Sequence, residues 1–267
     1  MHHLNCGTFC PRGARLLTGS GGLLAETRLV CHCLLIEAGE ELVLVDTGFG
    51  MGDVGDPGRL GAPFRALTRP RCVESETAVR QIERLGLDPT DVGHIVLTHM
   101  DLDHAGGLGD FPGAEVHVFA RELRAARAPS LQERARYVPA QWSHGPKWAE
   151  HDVDGDSWLG FERVLLLPDV DVEIAMVPLP GHTRGHTGIA VSEPGGWLLH
   201  CGDAFFHHGE VATPSAVPAG VTLYERATCV DNGVRQQNQE RLRELARDHG
   251  DDVRLICSHD PELLDAA

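Results

Sequence analysis

Basic residues are scarce in this 267-residue sequence: 23 Lys+Arg stand against 39 Asp+Glu, a formal charge of −16 at pH 7. A surface so acidic repels phosphate backbones and anionic lipid, which argues against nucleic-acid and membrane partners. Long hydrophobic runs are also missing, and none approaches the roughly 20 residues needed to span a bilayer. The opening Met1-His2-His3-Leu4-Asn5-Cys6 lacks the basic start, apolar stretch and cleavage site of a secretory signal, so a cytoplasmic location with reduced thiols is expected. The eight cysteines include no Cys-x-x-Cys pair, which excludes a ribbon-type zinc site. No Gly-x-Ser-x-Gly elbow is present, so nothing points to a serine hydrolase.

What the chain does have is strands and histidine. Apolar runs at Cys31 to Ile36 and Leu42 to Val45, separated by Glu37-Ala38-Gly39-Glu40-Glu41, read as a hairpin. A Gly/Pro-rich surface stretch follows from Gly50 to Pro70, then a helix from about Glu76 to Leu85 and a strand from His94 to Thr98. Strand Glu115 to Phe119 and helix Ala120 to Arg127 precede an irregular stretch, 129–160, that holds three tryptophans and suits a cover over a site. Strands recur at Val164 to Leu167, Val172 to Pro178, Gly188 to Val191, Trp197 to His200 and Val253 to Cys257, with a helix near Val234 to Arg247. Strand-rich halves interrupted by helices predict two sheets packed face to face with helices outside. Leu42 to Gly48 and Trp197 to Asp203 share an apolar strand followed by Asp and Gly, a faint sign of internal duplication.

Several of the 16 histidines cluster with aspartates, where borderline-hard divalent metals find ligands. Thr98-His99-Met100-Asp101-Leu102-Asp103-His104 packs four potential ligands into six positions directly after a strand. Without a cation, so many imidazoles and carboxylates would have to satisfy one another within one loop. Further candidates follow other strand ends: His182 and His186 in Pro180-Gly181-His182-Thr183-Arg184-Gly185-His186, Asp203 after Gly202, and His259 after Ser258. A lone loop histidine means little, but one design repeated four times is hard to obtain by accident.

These segments together resemble the metallo-β-lactamase fold superfamily from about Leu29 to His259. The resemblance implies an α/β fold, an αββα sandwich of two mixed β-sheets flanked by helices, as one domain over 1–267 with a site-covering insertion near 129–160. It implies two divalent metal ions, zinc first with iron or manganese as alternatives. His99, Asp101 and His182 would hold one ion, Asp103, His104 and His259 the other, and Asp203 would bridge them. Asp46, ending the Val-Asp-Thr strand, would orient a ligand histidine, while His186 would hold its turn or a neighbouring ligand. The family loop usually carries histidine where this chain has Asp101, and the exchange favours harder ions such as iron or manganese beside zinc.

The activity so implied is hydrolysis of an ester, lactone or thioester of a small molecule, with Asp103 moving the proton to the leaving group while remaining a ligand. The antibiotic-hydrolysing branch places cysteine where Asp203 falls, which argues against β-lactams. Acyl-homoserine lactonases resemble the chain in layout, yet carry a tyrosine three residues after the bridging aspartate, where this sequence has Phe206. Pocket-wall candidates are Phe206, His207, His208, Tyr137 and Trp142. Two other readings stand beside hydrolysis. One is a diiron redox or oxygen-handling protein, although that branch carries glutamate at position 101 and works with a flavin domain; the other is a noncatalytic metal-binding module. The sequence leaves the oligomeric state open.

Overall fold

A computed structural model describes residues 1–153, 156–166 and 172–267. The elements run in the order β1 (His2–Phe9), α1 (Ala14–Leu17), β2 (Leu29–Ala38), β3 (Glu41–Val45), α2 (Met51–Gly55), α3 (Ala62–Thr68), α4 (Ala78–Arg84), β4 (Val92–Val96), β5 (Glu115–Phe119) and α5 (Ala120–Arg127). They continue with β6 (Lys147–His151), β7 (Asp156–Trp158), β8 (Phe161–Leu166), β9 (Ile174–Pro178), β10 (Thr187–Glu193), β11 (Gly196–His200), α6 (Ala219–Thr228), α7 (Asn232–Asp248), β12 (Val253–Ile256) and α8 (Pro261–Asp265). Among the described residues, no helix is long and apolar enough to cross a membrane.

The strands form two six-stranded sheets, β1-β2-β3-β4-β5-β6 and β12-β11-β10-β9-β8-β7. Both are mixed. The first is antiparallel across β1/β2/β3 and parallel across β3/β4/β5/β6, and the second is parallel only at β11/β12. Strand side chains alternate between faces, so a strand covered on both sides must be apolar at every position. In β2 and β3, Leu34, Ile36, Val43 and Val45 meet Met176, Ile189, Val191 and Leu198 of the second sheet. Their neighbours Leu35, Leu42 and Leu44 pack outward with Ile82 of α4 and Leu123 of α5. Behind the second sheet, Val177, Leu199 and Leu255 receive Leu242 and Leu245 of α7. The sandwich expected from the sequence is the fold, since each central strand is sealed on both faces.

The suggested duplication has a geometric counterpart. β3 lies between antiparallel β2 and parallel β4, and β11 lies between antiparallel β10 and parallel β12. Each ends on an aspartate within a few residues, Asp46 after β3 and Asp203 after β11. Each parallel neighbour, β4 or β12, runs into a histidine loop on the same rim.

The structure adds one strand and corrects two readings. β1, where no strand was expected, forms an edge of the first sheet, pairing His3 with Leu34 and Asn5 with His32. The stretch from Gly50 to Pro70 contains α2 and α3 and buries Leu60. The stretch 129–160 is not irregular throughout, because β6 extends the first sheet and β7 the second. Leu167 of the expected strand, and Asp154 and Gly155 of the expected insertion, lie outside the described residues.

Candidate metal centre

Five chain segments converge on one rim of the sandwich. β3 delivers Asp46, β4 leads into the loop from His99 to His104, the β9–β10 turn brings His182, β11 brings Asp203, and β12 brings His259. All seven candidate ligands are buried, from His99 with no exposed surface to Asp103 at 9%.

Asp203 sits between two histidine pairs and turns a different oxygen to each. Its Oδ2 lies 3.4 Å from His182 Nε2 and 3.9 Å from His99 Nε2. Its Oδ1 lies 3.2 Å from His259 Nε2 and 3.3 Å from His104 Nε2. Asp101 Oδ2 joins the first group, 3.1 Å from His182 Nε2 and 3.6 Å from His99 Nε2. Asp103 Oδ2 joins the second, 3.6 Å from His259 Nε2.

The far side of each imidazole is tied down. His104 Nδ1 lies 2.8 Å from Asp46 Oδ2, and His259 Nδ1 donates to the Val30 carbonyl at 2.7 Å. Thr98 Oγ1 donates to Asp46 Oδ2 at 2.7 Å and accepts from His99 Nδ1 at 2.9 Å. These bonds put the protons of His99, His104 and His259 on Nδ1 and aim their Nε2 lone pairs inward. Asp46 also accepts the Thr98 amide at 2.8 Å, and it does so from φ 53°, a left-handed conformation that costs a non-glycine residue of order 1 kcal/mol or more. His186 faces away from the centre. Its Nδ1 donates to Leu179 O at 3.1 Å and its Nε2 accepts the Asp203 amide at 2.9 Å. Gly202, at φ 54°, lets that contact form, because a Cβ there would stand 2.6 Å from His186 Nε2.

Do these residues fit metal ions? His99 Nε2, His104 Nε2 and Asp203 Oδ1 are buried with no hydrogen-bond partner among the described residues, an arrangement proteins otherwise avoid. His99, His182 and Asp203 form one group of converging donor atoms, and His104, Asp203 and His259 form another, each within 4.8 Å. Imidazole nitrogen with carboxylate oxygen is the donor set of zinc, iron and manganese. The field agrees. Burial works against charge on Asp101, yet Arg136, His99 and His182 hold its carboxyl well below the usual range. Burial likewise opposes charge on Asp203, and His259 and His104 overcome it. Despite burial, Asp203 and Asp46 push His104 well above its ordinary value, and Asp203 also raises His259. The centre demands positive charge.

Of the expected pocket residues, Phe206 alone stands against the ligands, stacked on His259 at 5.2 Å between centroids and tilted against His182 at 5.8 Å. Tyr137 is buried in the cluster outside the first sheet, with its hydroxyl on Glu122 at 3.2 Å, and Trp142 packs against that cluster. His207 accepts from the Gly209 amide and His208 pairs with Asp260 at 2.8 Å, so both serve the local turn.

Residues not read from the sequence complete the surroundings. Arg136, from the 129–160 stretch, places Nη1 3.5 Å from Asp101 Oδ1 and 3.1 Å from His182 O. Once Asp101 replaces an imidazole, a compensating cation is required, but spacing cannot say which of 23 Lys+Arg supplies it. Tyr224 of α6 packs edge-on to Phe206 at 5.5 Å. Burial first, then Asp103, Asp203 and Asp101, push its phenol up, and its hydroxyl makes no hydrogen bond to the described residues. Cys31 of β2 lies among Asp103 and His259, where burial and then Asp103 push its thiol up and keep it protonated. Phe9 of β1 packs on His259 at 5.6 Å and on Phe49 and Phe64, so the unexpected strand walls one side of the centre.

The profile of the metallo-beta-lactamase superfamily matches residues 27–259, which contain every candidate ligand. The chain belongs to that superfamily. A relative from Mycobacterium tuberculosis, named a probable metallo-hydrolase, is 47% identical over 268 residues, covering 100% of this chain and 82% of its own. An N-acyl homoserine lactonase of Azorhizobium caulinodans is 31% identical over 194 residues, covering 71% of this chain and 66% of its own. Among solved metallo-beta-lactamase-fold structures, an N-acyl homoserine lactone hydrolase, with the product N-hexanoyl-L-homoserine at its catalytic metal centre, superposes with a TM-score of 0.74. It is 20% identical, covering 100% of this chain and 95% of that one, a likeness of fold.

Proposed function

We propose that this metallo-hydrolase of the superfamily holds two divalent ions and cleaves the ester, lactone or thioester bond of a small molecule. The observation that carries the reading is the division of Asp203, one oxygen toward His99 and His182 and the other toward His104 and His259. Asp101 completes the first set and Asp103 the second. When bound, two such ions supply Lewis acidity toward a carbonyl oxygen and acidify a water to serve as nucleophile.

The chain's own groups do the rest. Asp46, Thr98 and the Val30 carbonyl hold three imidazoles in the tautomer that ligation needs. Asp103, the most exposed of the seven candidate ligands, takes a proton at its carboxylate and passes it to the leaving oxygen or sulfur. Phe206 and Phe9 are the apolar walls. Tyr224 supplies a phenol donor to the substrate's carbonyl region, a role Phe206 cannot fill. The half-buried position of Tyr224 beside three carboxylates supports this, as do the relatives named as lactonases.

A panel of lactones, esters and thioesters offered to protein loaded with zinc or manganese tests the reading. Cleavage of at least one class is expected, with kcat/KM reduced about 100–1,000-fold in Tyr224→Phe, the scale of losing one preorganised donor. Full metal occupancy without cleavage of any class overturns hydrolysis in favour of a binding module. Oxygen consumption with a reductant, again without cleavage, favours the diiron alternative.

A further inference from the structure

A second group of metal-ligating side chains lies on β4 itself, away from the loop that follows it. His94, the middle residue of that strand, precedes His99 by five residues, on the order of 16 Å at about 3.3 Å per residue. β4 and β5 pair His94 with Glu115, and β5 and β6 pair Phe119 with His151. Strand alternation puts Glu41, His94, Glu115, His117 and His151 on the same face as Val43, Val96 and Phe119, the face turned to the second sheet.

The tautomers there are constrained from outside. Glu41 Oε2 stands 3.2 Å from His94 Nε2, a carboxylate contact that favours a proton on that nitrogen and a lone pair on the inward Nδ1. His117 presents Nε2 to that atom at 3.0 Å and its own Nδ1 to His151 Nε2, also at 3.0 Å. The Glu115 carboxylate lies 3.8 Å from both inward nitrogens, too far for a hydrogen bond to hold it. Separations of 3.0, 3.8 and 3.8 Å bracket the roughly 3.3–3.4 Å between ligands of a tetrahedral ion with bonds of about 2.0–2.1 Å. Two histidines held by outer partners, with one carboxylate, match the pattern of an ion with three protein ligands and one open position.

We propose that His94 Nδ1, His117 Nε2 and Glu115 bind one borderline divalent transition-metal ion of the zinc type, separate from the reaction centre. Glu41 and His151 orient the two imidazoles. The ion ties the middle of β4 to the start of β5, while Glu115, half exposed, leaves the fourth position open to water. The proposal does not rest on the reaction assigned above. A competing arrangement is a relay of hydrogen bonds from His151 through His117 and His94 to Glu41, which needs no ion and gives Glu115 no part.

Zinc titration of the native chain, Glu115→Gln and His94→Gln decides between them, with bound zinc counted by elemental analysis. Each variant is expected to bind one equivalent fewer, or that equivalent at least about tenfold more weakly, with hydrolysis unchanged. Glu115→Gln removes a half-exposed carboxylate, so its fold is safe and far-UV circular dichroism checks it. In the native chain, zinc is expected to shift the ring-nitrogen resonances of His94 and His117. Equal stoichiometry and affinity in all three proteins, or nitrogen resonances that zinc leaves in place, overturns the site.

Discussion

The two histidine clusters along β4 solve the problem of buried histidine in opposite ways. Beyond its last residue, carboxylates set between imidazoles leave a surplus of negative charge, and inward nitrogens such as His99 Nε2 and His104 Nε2 have no hydrogen-bond partner among the described residues. At its midpoint, rings face one another at 3.0 Å in a row that hydrogen bonds alone can satisfy. Histidine density is therefore a poor guide to a reaction centre. Orphaned nitrogens around a shared carboxylate are a better one, because only a cation makes them affordable.

Asp203→Ala breaks the comparison most severely. On the proposed two-ion reading, removing the shared anion would leave two cations repelling each other, so metal at the reaction centre and turnover should both collapse, the latter by about 10³-fold or more, with the fold retained. The zinc equivalent at His94 should survive in that variant. Elemental analysis beside hydrolysis rates reads both effects, and near-native turnover would remove Asp203 from its bridging role.

Asp46→Asn sharpens the contrast one layer out. The amide keeps the shape but weakens the acceptor that fixes His104, and a loss of about 10–100-fold in metal affinity or kcat/KM is expected. Equilibrium dialysis with zinc measures the affinity, and native affinity in the variant would reduce Asp46 to a strand terminator. Asp101→His has the smallest and most selective effect. It restores an imidazole and should raise zinc over manganese loading several-fold in an equimolar mixture, while Arg136 loses its counter-charge. Identical metal ratios in native and variant protein would show that Asp101 is not a ligand.

The sequence disclosed those parts whose chemistry is local. His99, Asp101, Asp103 and His104 lie in one loop, and β2, β3 and β11 announce themselves by apolar runs too dense for a surface. What escaped it depends on distance along the chain. β1 carries His2, His3 and Asn5, polar residues that hide a strand paired on one edge only. β6 reads Lys147-Trp148-Ala149-Glu150-His151, half exposed at the sheet's rim, with no apolar period to detect. Arg136 and Tyr224 reach the centre through the packing of a covering stretch and a separate helix, and no spacing rule connects either to the ligands.

Arg136 does more than answer a charge. Besides Asp101, its guanidinium donates to the main-chain oxygens of His182 at 3.1 Å and Thr228 at 2.5 Å. Thr228 is the last residue of the helix that carries Tyr224. One side chain thus clasps the loop of Asp101, the turn of His182 and the helix of Tyr224, three segments encoded far apart. Their independence is lost: shifting the helix to admit a bulkier substrate pulls on the same clasp that sets the charge beside Asp101. New specificities in this scaffold should therefore arise from side-chain exchange on that helix rather than from insertions or deletions in the stretch that brings Arg136.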